Sequence, residues 1–200
     1  MRFTSFFVLV LGLPALATAG PASPNLASKD ELTAAGVDAA TAEAIIDGRP
    51  YLTAESFDAV LDGKVDDDAR DALYAKVFRA INLNTASEAE IMLIPGMSKR
   101  MAHEFEEYRP YTGIEQFRRE IGKYVDEDEV ARLEQFVFIP LDLNTASEDA
   151  IMQIPGMTKR MAHEFEAYRP YKDLDQFRRE IGKYVDEDEV ARLESYVTIK

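Results

Sequence analysis

From Leu83 onward, apolar residues recur at the three- and four-residue spacing of short amphipathic helices, and each burst is closed by glycine or proline. Ile91, Met92 and Ile94 form the first burst, stopped by Pro95 and Gly96. Met101, Ala102, Phe105 and Tyr108 form the second, which restarts at Ser98 and ends where Arg109 precedes Pro110, a step that disfavours helical backbone. Ile114, Phe117 and Ile121 make a third that stops at Gly122, and Val130, Leu133 and Val137 make a fourth. Polar start signals agree. Ser87 with Glu90 fits a capping box, and Asp126 with Glu129 caps the fourth helix. In the corresponding later stretch Ala150 spoils the first box, leaving Thr145 with Glu148. No alternating run longer than a few terminal residues suggests a strand, so the pattern predicts an all-α chain.

The pattern repeats. Residues 83–139 laid over 143–199 keep a register of 60 with twelve of 57 positions changed, which marks a recent duplication. An eroded copy begins at Asn25. It keeps Arg49, Pro50 and Tyr51 for the later Arg-Pro-Tyr, Gly36 for Gly96, Phe57 for Phe117, and the acidic run Asp66 to Asp68. The expected organisation is three tandem units at 20–81, 82–141 and 142–200, each of marginal size for folding alone. Apolar junctions such as Phe138, Ile139, Pro140 and Leu141 are expected to hold neighbours close. The three methionines at 92, 97 and 101 are expected to fill core.

Residues 1–19 change the picture of location. Arg2, an apolar run from Phe6 to Leu13, Pro14 and the small triplet Ala17, Thr18, Ala19 have the layout of a secretory signal peptide. The apolar run is far short of the roughly 20 residues that span a bilayer, so the expectation is an exported protein, periplasmic or extracellular, beginning at Gly20, with no stable membrane insertion after cleavage. Composition narrows the chemistry. With no cysteine and two histidines, thiolate metal sites, disulfides and histidine-rich metal sites are set aside, and no metal or other cofactor is expected. The net charge of −14 opposes broad attraction to nucleic acid, so any polyanion binding has to be local.

Paired helix, glycine turn, helix elements within about 60 residues resemble the paired helix-hairpin-helix fold. Asp/Asn-Leu-Asn-Thr-Ala-Ser at each start, Ile-Pro-Gly-Met in the first turn and Tyr-Arg-Pro-Tyr after the second helix resemble ComEA-type competence DNA receptors. The same opening and fold are similar to the PsbU-type extrinsic subunit of photosystem II. One resemblance implies weak, sequence-independent DNA binding outside the cytoplasmic membrane, with DNA uptake as the process; the other implies a non-catalytic module docked on a protein assembly. Both stay open. Where that family usually has a second glycine in the first turn, this chain has Ser98 and Thr158.

The residues themselves support a phosphate site at the first turn. Gly96 can take positive φ, after which the next helix points its free amides, roughly Ser98 to Met101, at whatever sits above the turn. Lys99 and Arg100 would reinforce an anion there, as would Lys159 and Arg160 beside Gly156 and Thr158 in the third unit. Arg118, Arg119 and Lys123, with Arg178, Arg179 and Lys183, are a candidate supporting basic patch. The alternative reading of Lys99 and Arg100 is an ordinary solvated helix start. The second turn is followed at once by Asp126, Glu127, Asp128 and Glu129, which occupy that helix start with the chain's own carboxylates. His103 with Glu104 lacks the second histidine four residues on that a zinc protease needs. Tyr108 to Tyr111 read as packing and helix termination, with base stacking as the alternative. No nucleophile, paired acid and base, or Walker-type arrangement appears, so neither a catalytic residue nor a small-molecule substrate is expected.

Overall fold

The computed structural model describes residues 20–200. The signal peptide assigned to residues 1–19 lies outside them.

Polar residues at the helix starts set the element boundaries. Unit one holds α1 (Lys29–Ala35), α2 (Ala39–Asp47), α3 (Ala54–Leu61) and α4 (Asp67–Tyr74). Unit two holds α5 (Glu88–Met92), α6 (Lys99–Glu107), α7 (Ile114–Ile121) and α8 (Glu127–Glu134). Unit three holds α9 (Glu148–Ile151), α10 (Lys159–Ala167), α11 (Leu174–Ile181) and α12 (Glu187–Glu194). Ser28 and Ser87 form reciprocal capping boxes with Glu31 and Glu90. Asp126 accepts from the Glu129 amide, as expected, and Asp186 repeats this with Glu189. In unit three the cap is Ser147, which accepts from the Ala150 amide, whereas the Thr145 hydroxyl turns back to Asp142. The expected Thr145 box is therefore replaced by the serine alone, because the backbone turn does not depend on the missing carboxylate.

The chain is largely helical but not free of strand. β1 (Ile81–Asn82) pairs in parallel with β2 (Val137–Phe138), and β3 (Leu141–Asp142) pairs in parallel with β4 (Val197–Thr198). Ala22 and Val77 make the matching bridge in unit one. Val137 belongs to a strand and not to the fourth helix, which ends at Glu134. Each pairing ties the start of a unit to its own end, and two residues are too few for a period-2 pattern to register in sequence.

Helices pack in consecutive pairs, α1 on α2, α5 on α6 and α9 on α10 across the first turn, then α7 on α8 and α11 on α12 across the second. Phe105 meets Phe117 edge-on at 5.2 Å, and Phe165 meets Phe177 at the same distance in unit three. All four rings are fully buried, each contributing about 1.5–3 kcal/mol by leaving water. Met97 and Met101 are half-buried against this core, but Met92 is exposed at the end of α5, so it does not fill core as expected.

The repeated Arg-Pro-Tyr and its partner asparagine close each unit. Asn84 donates to the Tyr111 carbonyl (3.0 Å) and accepts from the Tyr111 amide (2.6 Å). Arg109, before a cis proline, donates to the carbonyls of Leu83 (2.6 Å) and Ala86 (2.7 Å). Asn144 with Arg169, and Asn25 with Arg49, repeat the arrangement. The group packs and terminates α6, as its sequence suggests. The core of units one and two is continuous from Ala27 to Val137, whereas unit three has its own cluster from Leu143 to Val197. Glu90 strengthens the first seam by accepting from the Ala54 amide at the start of α3 (2.8 Å), a bond that Ala150 cannot repeat at the next one.

Candidate functional site

The first turns of units two and three are built alike. Gly96 and Gly156 have φ of 74° and 76°, left-handed values that favour glycine, and both lie exposed. Ser98 and Thr158 are the N-caps of α6 and α10, and their hydroxyls accept from the amides of Met101 and Met161 at 3.2 Å. One amide of the expected free set is thus used by the chain itself. The Lys99 and Arg100 amides have no protein acceptor among the described residues and open toward solvent with the helix dipole behind them.

Beside those amides stand the side chains of Lys99 and Arg100, with Lys159 and Arg160 in unit three. All four are exposed, and none of the ion pairs among the described residues includes them. The six supporting basic residues are placed differently. Arg118 donates to both carboxylate oxygens of Glu134 (2.7 and 2.6 Å) and to Glu115 (2.5 Å). Arg178 repeats this with Glu194 and Asp175. Arg119 and Lys123 share Glu120, and Arg179 and Lys183 share Glu180. Lys123 and Lys183 also lie 4.9 Å over the rings of Tyr108 and Tyr168. Arg118 and Arg178 thus each meet two carboxylates and the other four share one per unit, so all six cations are paired, whereas the four beside the first turns are not.

One cation beneath each turn was not expected from sequence. Arg132 on α8 donates to the Pro95 carbonyl at 2.9 Å, and Arg192 on α12 donates to the Pro155 carbonyl at 2.7 Å. Both guanidiniums also pair with a carboxylate one helical turn back, Glu129 and Glu189. In unit one the aligned residue is Ala72, and Lys76 donates to the Ala35 carbonyl (3.2 Å) instead. The joint loss of this arginine and the turn proline in the one eroded copy, as Ala72 and Ala35, was the available signal.

The remaining candidates disperse. His103 is exposed and reaches Glu107 at 3.6 Å, while Glu104 is buried, so the two do not converge on one point. Asp126 is spent as a helix cap. Tyr108 and Tyr124 join hydroxyl to hydroxyl at 2.8 Å, and Tyr168 with Tyr184 repeats this at 2.9 Å.

Lys123 and then Arg119 hold the buried Glu120 carboxyl below its ordinary value of 4.5, and Lys183 does the same first for Glu180. A carboxyl lowered in the folded state stabilises fully above its unfolded pKa, and that contribution disappears as pH falls through the lower folded value. Glu120→Gln with Glu180→Gln is therefore expected to lower the urea midpoint at pH 7 and to flatten its decline below about pH 4.5. An unchanged acid limb would count against these pairs.

No family model and no solved structure matches this chain. Among curated proteins, "Endonuclease/exonuclease/phosphatase family domain-containing protein 1" of Xenopus laevis is similar at 28% identity over 129 residues, covering 48% of this chain and 23% of that protein. The chain spans less than a quarter of that relative's length.

Proposed function

We propose that this chain is an exported, non-catalytic protein that binds duplex DNA weakly through its phosphates, without reading base sequence. The fold assignment that goes with this reading is three tandem paired helix-hairpin-helix units, with DNA uptake as the process implied by the ComEA-type resemblance. Gly96, Ser98, Lys99 and Arg100 form one site and Gly156, Thr158, Lys159 and Arg160 the other. The observation that carries the reading is the pairing pattern: in a chain with 37 acidic residues, the four cations beside the two positive-φ turns have no carboxylate partner among the described residues. A phosphate above the Lys99 and Arg100 amides would meet a helix N-terminus and two exposed positive charges together. The name of the Xenopus laevis relative refers to nuclease and phosphatase families; with 23% of that protein covered, it supplies no reaction here.

The test is fluorescence anisotropy of mature protein with labelled duplexes across a salt series. If each turn neutralises two or three phosphates, log affinity should fall against log salt with a slope of about −4 to −5. Duplexes of unrelated sequence should bind alike. Absence of binding at the lowest salt would overturn the reading and leave the acidic surface as a docking face for a protein assembly.

A further inference from the structure

Arg79 is the largest fully buried side chain of the chain's described residues, and no carboxylate lies within ion-pair distance of it. All five of its N–H groups are used. Nε donates to the Tyr51 carbonyl (3.0 Å), and Nη1 to the Ala80 carbonyl (2.8 Å) and the Tyr196 hydroxyl (2.9 Å). Nη2 donates to the Ser195 hydroxyl (2.8 Å) and the Leu52 carbonyl (3.3 Å). The guanidinium also lies 4.6 Å over the Tyr196 ring and 5.3 Å over Phe138. One side chain thus joins the end of unit one to the end of unit three across 116 residues of sequence.

The duplicated copies show that this socket is specific. Unit two carries Ile139 where unit one carries Arg79. Ser195 and Tyr196 stand where unit two has Gln135 and Phe136, and Phe138 stands where unit three has Thr198. Three of the twelve positions at which the copies differ therefore touch Arg79, and two of them supply hydroxyls that unit two lacks. A second contact lies nearby: a Cβ at Gly156 would meet the Leu26 methyls at 3.0 and 3.1 Å, while the same position at Gly96 meets only its own Arg132, at 3.8 Å. Leu26 replaces the Thr85 and Thr145 of the other copies and is half exposed beside the third unit's turn.

We infer that Arg79, Ser195 and Tyr196 form an internal latch that holds unit three back against unit one and fixes the spacing of the Gly96 and Gly156 turns. Its effect on binding rests on the phosphate reading proposed above: with the spacing fixed, both turns engage one duplex at high effective concentration. Without the latch, only the Leu26 contact at Gly156 and the junction with unit two hold unit three, and the second turn contributes less.

The test uses the mature chain carrying Ser195→Ala with Tyr196→Phe. Phenylalanine is the residue unit two folds with at that position, so the unit's own core is preserved. Arg79→Ile, the residue of unit two, is the second variant. Small-angle scattering of the free protein should show an increased maximum dimension in both, with helical circular dichroism unchanged. The salt slope on duplex DNA should fall from about −4 to −5 to about −2 to −3, with affinity reduced at least tenfold. Scattering curves of both variants that superimpose on that of the unmodified protein would overturn the latch, whatever happens with DNA. An expanded variant alongside an unmodified protein that binds no DNA would support the latch and overturn the phosphate reading alone.

Discussion

Replacing Lys99, Arg100, Lys159 and Arg160 with glutamate is expected to abolish duplex binding, a loss of 100-fold or more, while leaving the helical signal and the melting temperature nearly unchanged. The two halves of that expectation have separate causes. The four side chains are exposed and make none of the ion pairs among the described residues, so reversing them removes no folded-state contact; surface changes of this kind usually cost within about 0.5 kcal/mol. At the turn, by contrast, each reversal exchanges an attraction to phosphate for a repulsion, beside amides that cannot compensate. Reversing Arg118, Arg119, Arg178 and Arg179 instead should damage stability more than binding, because those residues hold Glu134, Glu120, Glu194 and Glu180. Anisotropy and thermal melts on the two quadruple variants decide the assignment: equal loss of binding with no difference in melting would remove the distinction between the two sets.

The largest stability effect outside the aromatic core is expected at Asn84. Its side chain satisfies both backbone groups of Tyr111, and Asn84→Ala leaves a buried amide and a buried carbonyl without partners, at a cost of about 1–3 kcal/mol each before relaxation. Asn84→Asp should be nearly as harmful, because a carboxylate still accepts from the Tyr111 amide but repels its carbonyl. Threonine, which can serve only one of the two groups, should fall between asparagine and alanine. Urea unfolding would read all three. A midpoint for Asn84→Asp equal to that of the unmodified protein would mean that the acceptor bond alone holds the clamp.

What could be read in advance divides by the range of the interaction involved. Helix starts at Ser87, Ser98 and Asp126 are local, since a side chain there bonds an amide three residues on, and the sequence carries all the information required. The 60-residue register likewise made the threefold repetition visible. The strands were not legible, because a two-residue ladder such as Ile81–Asn82 with Val137–Phe138 has no periodicity and depends on ends that meet only after folding. Tyr108 to Tyr111 could be read as packing, but not that Arg109 binds Leu83 and Ala86. At the candidate site, the glycine turn and its flanking cations were local and legible. That Arg118 and Arg119 would be paired depended on Glu134 arriving from another helix and on the rotamer of an adjacent Glu120, neither of which spacing dictates.

The cation under the first turn bears on how such repeats can be rebuilt. Arg132, on α8, and Lys76, four aligned positions later and just past the end of α4, reach the equivalent carbonyl of their units. The eroded copy lost the arginine and the turn proline yet kept a donor for that carbonyl. A designer shortening or resurfacing these units therefore has two interchangeable anchor points, and a unit stripped of both leaves the Pro95 carbonyl to solvent. A consensus of the three copies keeps the arginine that two of them carry, so the anchor survives averaging even though the eroded copy reaches the carbonyl from Lys76.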